Sequence, residues 1–219
     1  MKQYIHQDQP VLTYGSNLEV ADLVFILIHG RGANAESMFD LAAELDHESV
    51  SFLIPQAALN RWYPQSAFGP IELNEPDLSS ALAKIDSLVD LAKENGFTKE
   101  QIIIGGFSQG ACLAAEFVAR KIVRFGGLFI FSGALIGPRG ETRSPKGSFS
   151  GMPVMISGSA QDPWIPSDLL QDAALFFERF GANVDFQSYP GMSHTINQDE
   201  VFRARNMLAR IKTAAPLKG

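Results

Sequence analysis

Residues able to do chemistry together begin with Gly106-Phe107-Ser108-Gln109-Gly110, a G-x-S-x-G pentapeptide set between an apolar run at 101–105 and a helix-patterned segment that starts at Gln109. A sharp strand-to-helix turn of this kind lifts its central serine above a sheet and pushes it toward strained backbone angles, so the positions two before and two after must be small; both are glycine. Composition alone would produce the pattern in roughly one chain in eight, so its strand–helix setting carries the weight. That setting also puts Ser108 at a helix N-terminus, where the positive end of the dipole favours developing negative charge. The chemistry implied is nucleophilic attack by a serine on an acyl carbon.

A serine hydroxyl is a poor nucleophile at neutral pH and needs an imidazole in hydrogen-bond reach to take its proton. Of the four histidines, His6 precedes the first apolar run and His47 sits beside Asp46 and Glu48, so both are expected at the solvated surface. His29 ends an apolar run next to a glycine loop and is expected to prop that loop by hydrogen bonding. His194, in Tyr189-Pro190-Gly191-Met192-Ser193-His194, follows the last apolar run and is the expected base. The orienting acid should fall between serine and histidine, the order of α/β-hydrolases. Asp162 fits, in a loop Gly158-Ser159-Ala160-Gln161-Asp162-Pro163 where the proline restrains the aspartate's backbone. Acyl transfer also needs preorganised N–H donors for the carbonyl oxygen. One is expected from the amide of Gln109, and the second from Arg31 in His29-Gly30-Arg31-Gly32. Phosphate binding by that loop is disfavoured, because it lacks G-x-G-x-x-G and a Lys-Ser/Thr pair.

The elements that must position these residues alternate along the chain. Leu23 to Ile28 is a continuous apolar run, as expected of a strand covered on both faces, and Met38, Leu41, Ala42 and Leu45 follow helical spacing. Further strands are expected at 50–54, 101–105, 127–131, 153–157 and 184–189, and helices at about 79–95, 109–121, 167–180 and 198–212. Loops are expected at 55–77 and 133–151. Such alternation implies parallel βαβ units in an α/β fold, a mostly parallel sheet with helices on both faces. Ligands then sit beyond the carboxyl ends of the strands, where Ser108, Asp162 and His194 all fall.

At 219 residues the chain reads as one domain spanning 1–219, with 46% hydrophobic and 19% charged residues, the balance of a globular protein. A net charge of -6 and no cluster of Lys and Arg argue against nucleic-acid binding. The first residues lack the apolar run of a signal peptide, and no stretch is long and apolar enough for membrane insertion, so a cytoplasmic location is expected. Cys112 is the single cysteine, which excludes an intrachain disulfide and a cysteine-based zinc site; it reads as a small core residue. No metal is expected.

Taken together, the His-Gly-x-Gly loop, Gly-Phe-Ser-Gln-Gly-Ala, Gly-x-x-Asp-Pro and Gly-x-x-His resemble the phospholipase/carboxylesterase family, which includes acyl-protein thioesterases and bacterial carboxylesterases, over about residues 20–212. The resemblance implies an α/β-hydrolase fold without a large cap domain, no cofactor, and hydrolysis of carboxylic esters, lysophospholipids or thioesters through an acyl-enzyme. Carried over by position, it gives Ser108, Asp162 and His194 as triad, with Arg31 and Gln109 as oxyanion donors. Ala33 stands where many members have aspartate, and Arg31 where an apolar residue is common, which favours the broader bacterial esterase branch. Trp62, Tyr63 and Phe68 in one loop and Trp164 beside Asp162 are expected to wall an apolar acyl pocket for a small-molecule ester. The same aromatic loop could serve a homodimer interface. Arg31, Arg61 and Arg139 lie in loops at the site end and could anchor an anionic substrate group. Two other readings are a dienelactone-hydrolase-like lactonase, disfavoured by serine rather than cysteine at 108, and a non-catalytic ligand-binding homologue.

Overall fold

The computed structural model describes residues 4–45, 48–144 and 146–216. Seven strands, β1 (Val11–Gly15), β2 (Leu23–Ile28), β3 (Val50–Pro55), β4 (Ile102–Phe107), β5 (Gly127–Phe131), β6 (Pro153–Ser159) and β7 (Asn183–Tyr189), form one sheet in the order β1-β3-β2-β4-β5-β6-β7. All pairs are parallel except β1–β3. The helices are α1 (Phe39–Leu45), α2 (Asp77–Glu94), α3 (Gln109–Lys121), α4 (Ser167–Arg179) and α5 (Gln198–Ala214).

The unalternated apolar strands are explained by two cores. Val24, Ile26 and Ile28 of β2 pack under α2 and α3, whereas Leu23, Phe25 and Leu27 of the same strand pack under α1 and α5. Strand geometry sends successive side chains to opposite faces, so a strand covered twice must be apolar at every position. On the second face the rings of Phe25, Phe52 and Phe129 stack side by side, with centroids 5.5 and 5.2 Å apart. Each such buried ring contributes about 1.5–3 kcal/mol.

Most expected elements are present with ends moved by a residue or two. Strand β1 was not legible: it is a short antiparallel edge strand with a half-buried, alternating pattern. Helix α1 is shortened by a 3-10 turn at Ala35–Met38, capped by the Asn34 side chain accepting from the Ser37 amide. The 55–77 loop contains two more 3-10 turns, at Ala58–Asn60 and Ile71–Asn74.

His6 departs from expectation. It is fully buried, its Nε2–H donates to the Trp62 carbonyl at 3.0 Å, and its Nδ1 accepts from the Ala58 amide at 3.0 Å. Lys84 holds the same N-terminal arm by donating to the Gln7 and Gln9 carbonyls. Burial lowers the His6 pKa, because charging the ring would strip it of water and turn an accepting nitrogen toward an N–H donor. His47 and Asp46 lie outside the described residues.

Candidate active site

Strand β4 runs straight into α3 through Ser108, whose φ of 55° and ψ of -119° lie outside the ordinary regions for a residue with a side chain. The flanking glycines are required by contact. A Cβ on Gly106 would sit 2.4 Å from the Ile28 carbonyl oxygen and 2.8 Å from the Gly110 carbonyl carbon; one on Gly110 would sit 2.3 Å from the same Ile28 oxygen. The elbow is therefore pressed against the end of β2, and that contact brings the Gly30–Arg31 loop beside Ser108. A Cβ on Gly30 would meet Ser108 Cβ at 3.3 Å.

His194 lies between β7 and α5, and Asp162 follows β6, so the carboxyl ends of β4, β6 and β7 converge. Ser108 Oγ and His194 Nε2 are 2.8 Å apart, and His194 Nδ1 and Asp162 Oδ2 are 2.6 Å apart. The carboxylate fixes the tautomer: Nδ1–H donates to Asp162, which leaves the Nε2 lone pair to accept from the serine hydroxyl. Asp162 is itself held, since its Oδ1 accepts from the amides of Trp164 at 2.8 Å and Ile165 at 3.0 Å and its side chain is 1% exposed. The Phe107 ring packs on the imidazole at 4.8 Å between centroids.

Among the described residues, neither the Arg31 nor the Gln109 amide donates a hydrogen bond to another protein group. The loop presenting Arg31 is tied down on both sides: Gly32 N–H donates to Asn60 O at 2.7 Å and Ala33 N–H to Gly30 O at 3.3 Å. His29 props it as expected. It is fully buried, Nδ1–H donates to Gly30 O at 2.8 Å, and Nε2 accepts from the Ala57 amide at 3.1 Å. Burial lowers its pKa as well.

A cavity of about 610 Å³ opens above Ser108 and His194, with Tyr63, Phe68, Cys112, Trp164 and Ile165 in its wall. Trp62 is not in that wall, contrary to expectation. It is fully buried, its Nε1–H donates to His29 O at 2.9 Å, and its ring lies 5.3 and 5.1 Å from those of His6 and His29. Its backbone N–H donates to Gln109 Oε1 at 2.9 Å, and Gln109 Nε2 donates to Tyr63 O at 2.8 Å, so the Gln109 side chain ties the aromatic loop to the elbow. The x positions of the motif, Phe107 and Gln109, thus carry contacts that the pattern alone does not announce.

Of the three arginines expected at the site end, Arg31 alone lines the cavity. The Arg31 guanidinium donates to Pro64 O at 2.8 Å and Gln65 O at 2.5 Å, bracing the loop. Arg139 is ion-paired with Asp168 and lines a separate depression, and Arg61 lies outside the cavity wall. Cys112 is buried with its thiol pushed up to about 11 by desolvation, which keeps it a neutral wall atom. Among the described residues no group of three or more His, Cys, Asp or Glu side chains could hold a metal ion, and no helix is long and apolar enough to cross a membrane.

A mostly parallel sheet clad by helices on both faces, with an elbow serine at the carboxyl end of a central strand, places the chain among the α/β-hydrolases. Residues 16–212 match the model of the phospholipase/carboxylesterase family, and the chain belongs to that family, whose members hydrolyse ester bonds. It is similar to a solved phospholipase/carboxylesterase from Dyadobacter fermentans, at 35% identity and a TM-score of 0.89 over 95% of this chain and 100% of that one. Acyl-protein thioesterase 1 of Kluyveromyces lactis is 28% identical over 85% of this chain and 90% of its own length. The Bacillus cereus carboxylesterase shares the fold, with a TM-score of 0.76 at 21% identity over 93% of this chain and 95% of that one.

Proposed function

We propose that this protein is a serine carboxylesterase that cleaves small-molecule acyl esters, and thioesters of similar shape, with Ser108 as nucleophile, His194 as general base and acid, and Asp162 as the group that orients it. The observation that carries this reading is the unbroken chain Asp162–His194–Ser108, at 2.6 and 2.8 Å, at the floor of an apolar cavity.

Ser108 Oγ attacks the carbonyl carbon as its proton passes to His194 Nε2, and the imidazolium is stabilised by the Asp162 carboxylate. The charge that develops on the carbonyl oxygen is received by the free amides of Gln109 and Arg31, each worth about 10²–10³ in rate. Collapse of the intermediate breaks the bond to the alcohol or thiol, which leaves with the proton from Nε2. Water then attacks the acyl-enzyme by the same route in reverse and frees the carboxylic acid and Ser108. The acyl chain lies along Tyr63, Phe68 and Trp164. Ala33 and Arg31, which depart from the residues common at those positions in the family, favour the bacterial esterase branch.

Initial rates on p-nitrophenyl esters from acetyl to palmitoyl, for wild type and Ser108→Ala, test the proposal. Hydrolysis that is lost in the variant is expected, and the optimal chain length measures the depth of the cavity. A folded wild type that is silent on every ester and on the matching thioesters overturns it.

A further inference from the structure

A second depression, of about 420 Å³, opens on the other side of His194. It shares Gly30, Ala33, Phe107 and His194 with the apolar cavity, so the two are arms that meet at His194, with Ser108 in the wall of the first. The arms differ in chemistry. The first is walled by aromatic and aliphatic side chains, and its arginine is engaged by loop carbonyls. The second has an apolar floor from Met38, Leu41 and Val201, and two carboxylates, Asp40 and Glu44, one helical turn apart on α1.

Neither carboxylate is neutralised. No ion pair among the described residues involves Asp40 or Glu44; Glu44 accepts only from the uncharged Gln198 amide, at 3.0 Å, and no Lys or Arg lines this arm. On the mechanism proposed above, the leaving oxygen or sulfur takes its proton from His194 Nε2 and must depart within reach of it. With the acyl chain in the apolar arm, the leaving group extends into the other.

We propose that this second arm is the leaving-group subsite, and that Asp40 and Glu44 make it select alcohols or thiols bearing a positive charge near the scissile bond over those bearing a negative one. The inference rests on the serine-esterase reading of the site. Both carboxylates are exposed, so they act through a solvent-screened field where the leaving group passes, one that strengthens as ionic strength falls.

Three esters of one acyl chain test it: the choline ester, the uncharged neohexyl ester of the same shape, and the anionic carboxymethyl ester. Because the acyl group is common, kcat/KM isolates the acylation step in which the leaving group takes part. The expected order is cationic above neutral above anionic, with about tenfold between the extremes at low ionic strength, shrinking toward unity in ~1 M salt. In Asp40→Asn/Glu44→Gln that ratio falls to about twofold, and in Asp40→Lys/Glu44→Lys it inverts; reading a ratio cancels any general loss of activity. A ratio near unity in wild type, or one that survives both pairs of substitutions, overturns the subsite while leaving the esterase reading intact. If none of the three esters is hydrolysed, and p-nitrophenyl esters are not either, the esterase reading fails and takes the subsite with it.

Discussion

Gly110→Ala should separate catalysis from folding. The new Cβ would lie 2.3 Å from the Ile28 carbonyl oxygen and 2.5 Å from that of His29, both backbone atoms that no rotamer change can move. Restoring van der Waals contact requires the start of α3 and the end of β2 to part by about 1 Å. That gap lies between the two expected oxyanion donors: Gln109 begins α3, and Gly30–Arg31 continue from β2. Both amides must come within about 2.7–3.1 Å of one oxygen, so an opening of 1 Å takes one of them out of range and should lower kcat by about 10²–10³. The overpacked contact should also cost about 1–3 kcal/mol of stability.

Gly126→Ala is the matched comparison. Its Cβ would meet the Glu100 carbonyl oxygen at 2.6 Å, an equally rigid clash, but at the amino end of β5, the opposite end of the strands from Ser108. Urea unfolding and saturating initial rates on a short p-nitrophenyl ester read both effects. Both variants should lose stability, and only Gly110→Ala should lose kcat per folded molecule. Gly110→Ala within about threefold of wild type in kcat, or Gly126→Ala falling as far, would refute the claim that the elbow–β2 contact sets the oxyanion site.

Asp162→Asn keeps an oxygen for the Trp164 and Ile165 amides but presents an amide in place of the carboxylate to His194; kcat should fall about 10⁴-fold with the thermal midpoint little changed, measured by rate and by calorimetry. His6 and His29, both with pKa values lowered by burial from the usual 6.5, stay neutral in the fold while the unfolded chain takes up protons. Stability should therefore be full above about pH 6.5 and decline as pH falls below it toward the folded-state values; equal urea midpoints at pH ~7.5 and ~5.5 would contradict this. Trp62→Phe removes the donor to His29 O and should cost about 1–2 kcal/mol without moving the preferred acyl length, whereas Trp164→Ala should move that preference with stability within about 0.5 kcal/mol, as urea unfolding and the ester series would show.

What was legible in the sequence follows from how local its cause is. The doubly covered strands announced themselves, because a strand apolar at every position has few other places to be, and the G-x-S-x-G elbow did so because its glycines meet a local steric demand. Strand β1 did not, since an exposed antiparallel edge strand tolerates polar residues and Val11 to Gly15 is only partly buried. His6 was misplaced because its partners, Trp62 and Ala58, lie 56 and 52 residues away, and nothing in Tyr4 to Pro10 points to them.

Trp62 and Tyr63 mark the boundary most sharply. They are adjacent aromatics in a segment without regular periodicity, so composition assigns both to one wall, yet Tyr63 lines the cavity while Trp62 is sealed between two histidines. The division is imposed by Gln109, whose side chain grips the backbone at both positions, and Gln109 is also the residue whose amide is proposed as an oxyanion donor. One side chain therefore fixes the aromatic loop to the elbow while its own backbone is left free to donate. A substitution there should disturb the pocket and the oxyanion site together, because the contacts that order the loop and the geometry that orients the donor belong to the same residue.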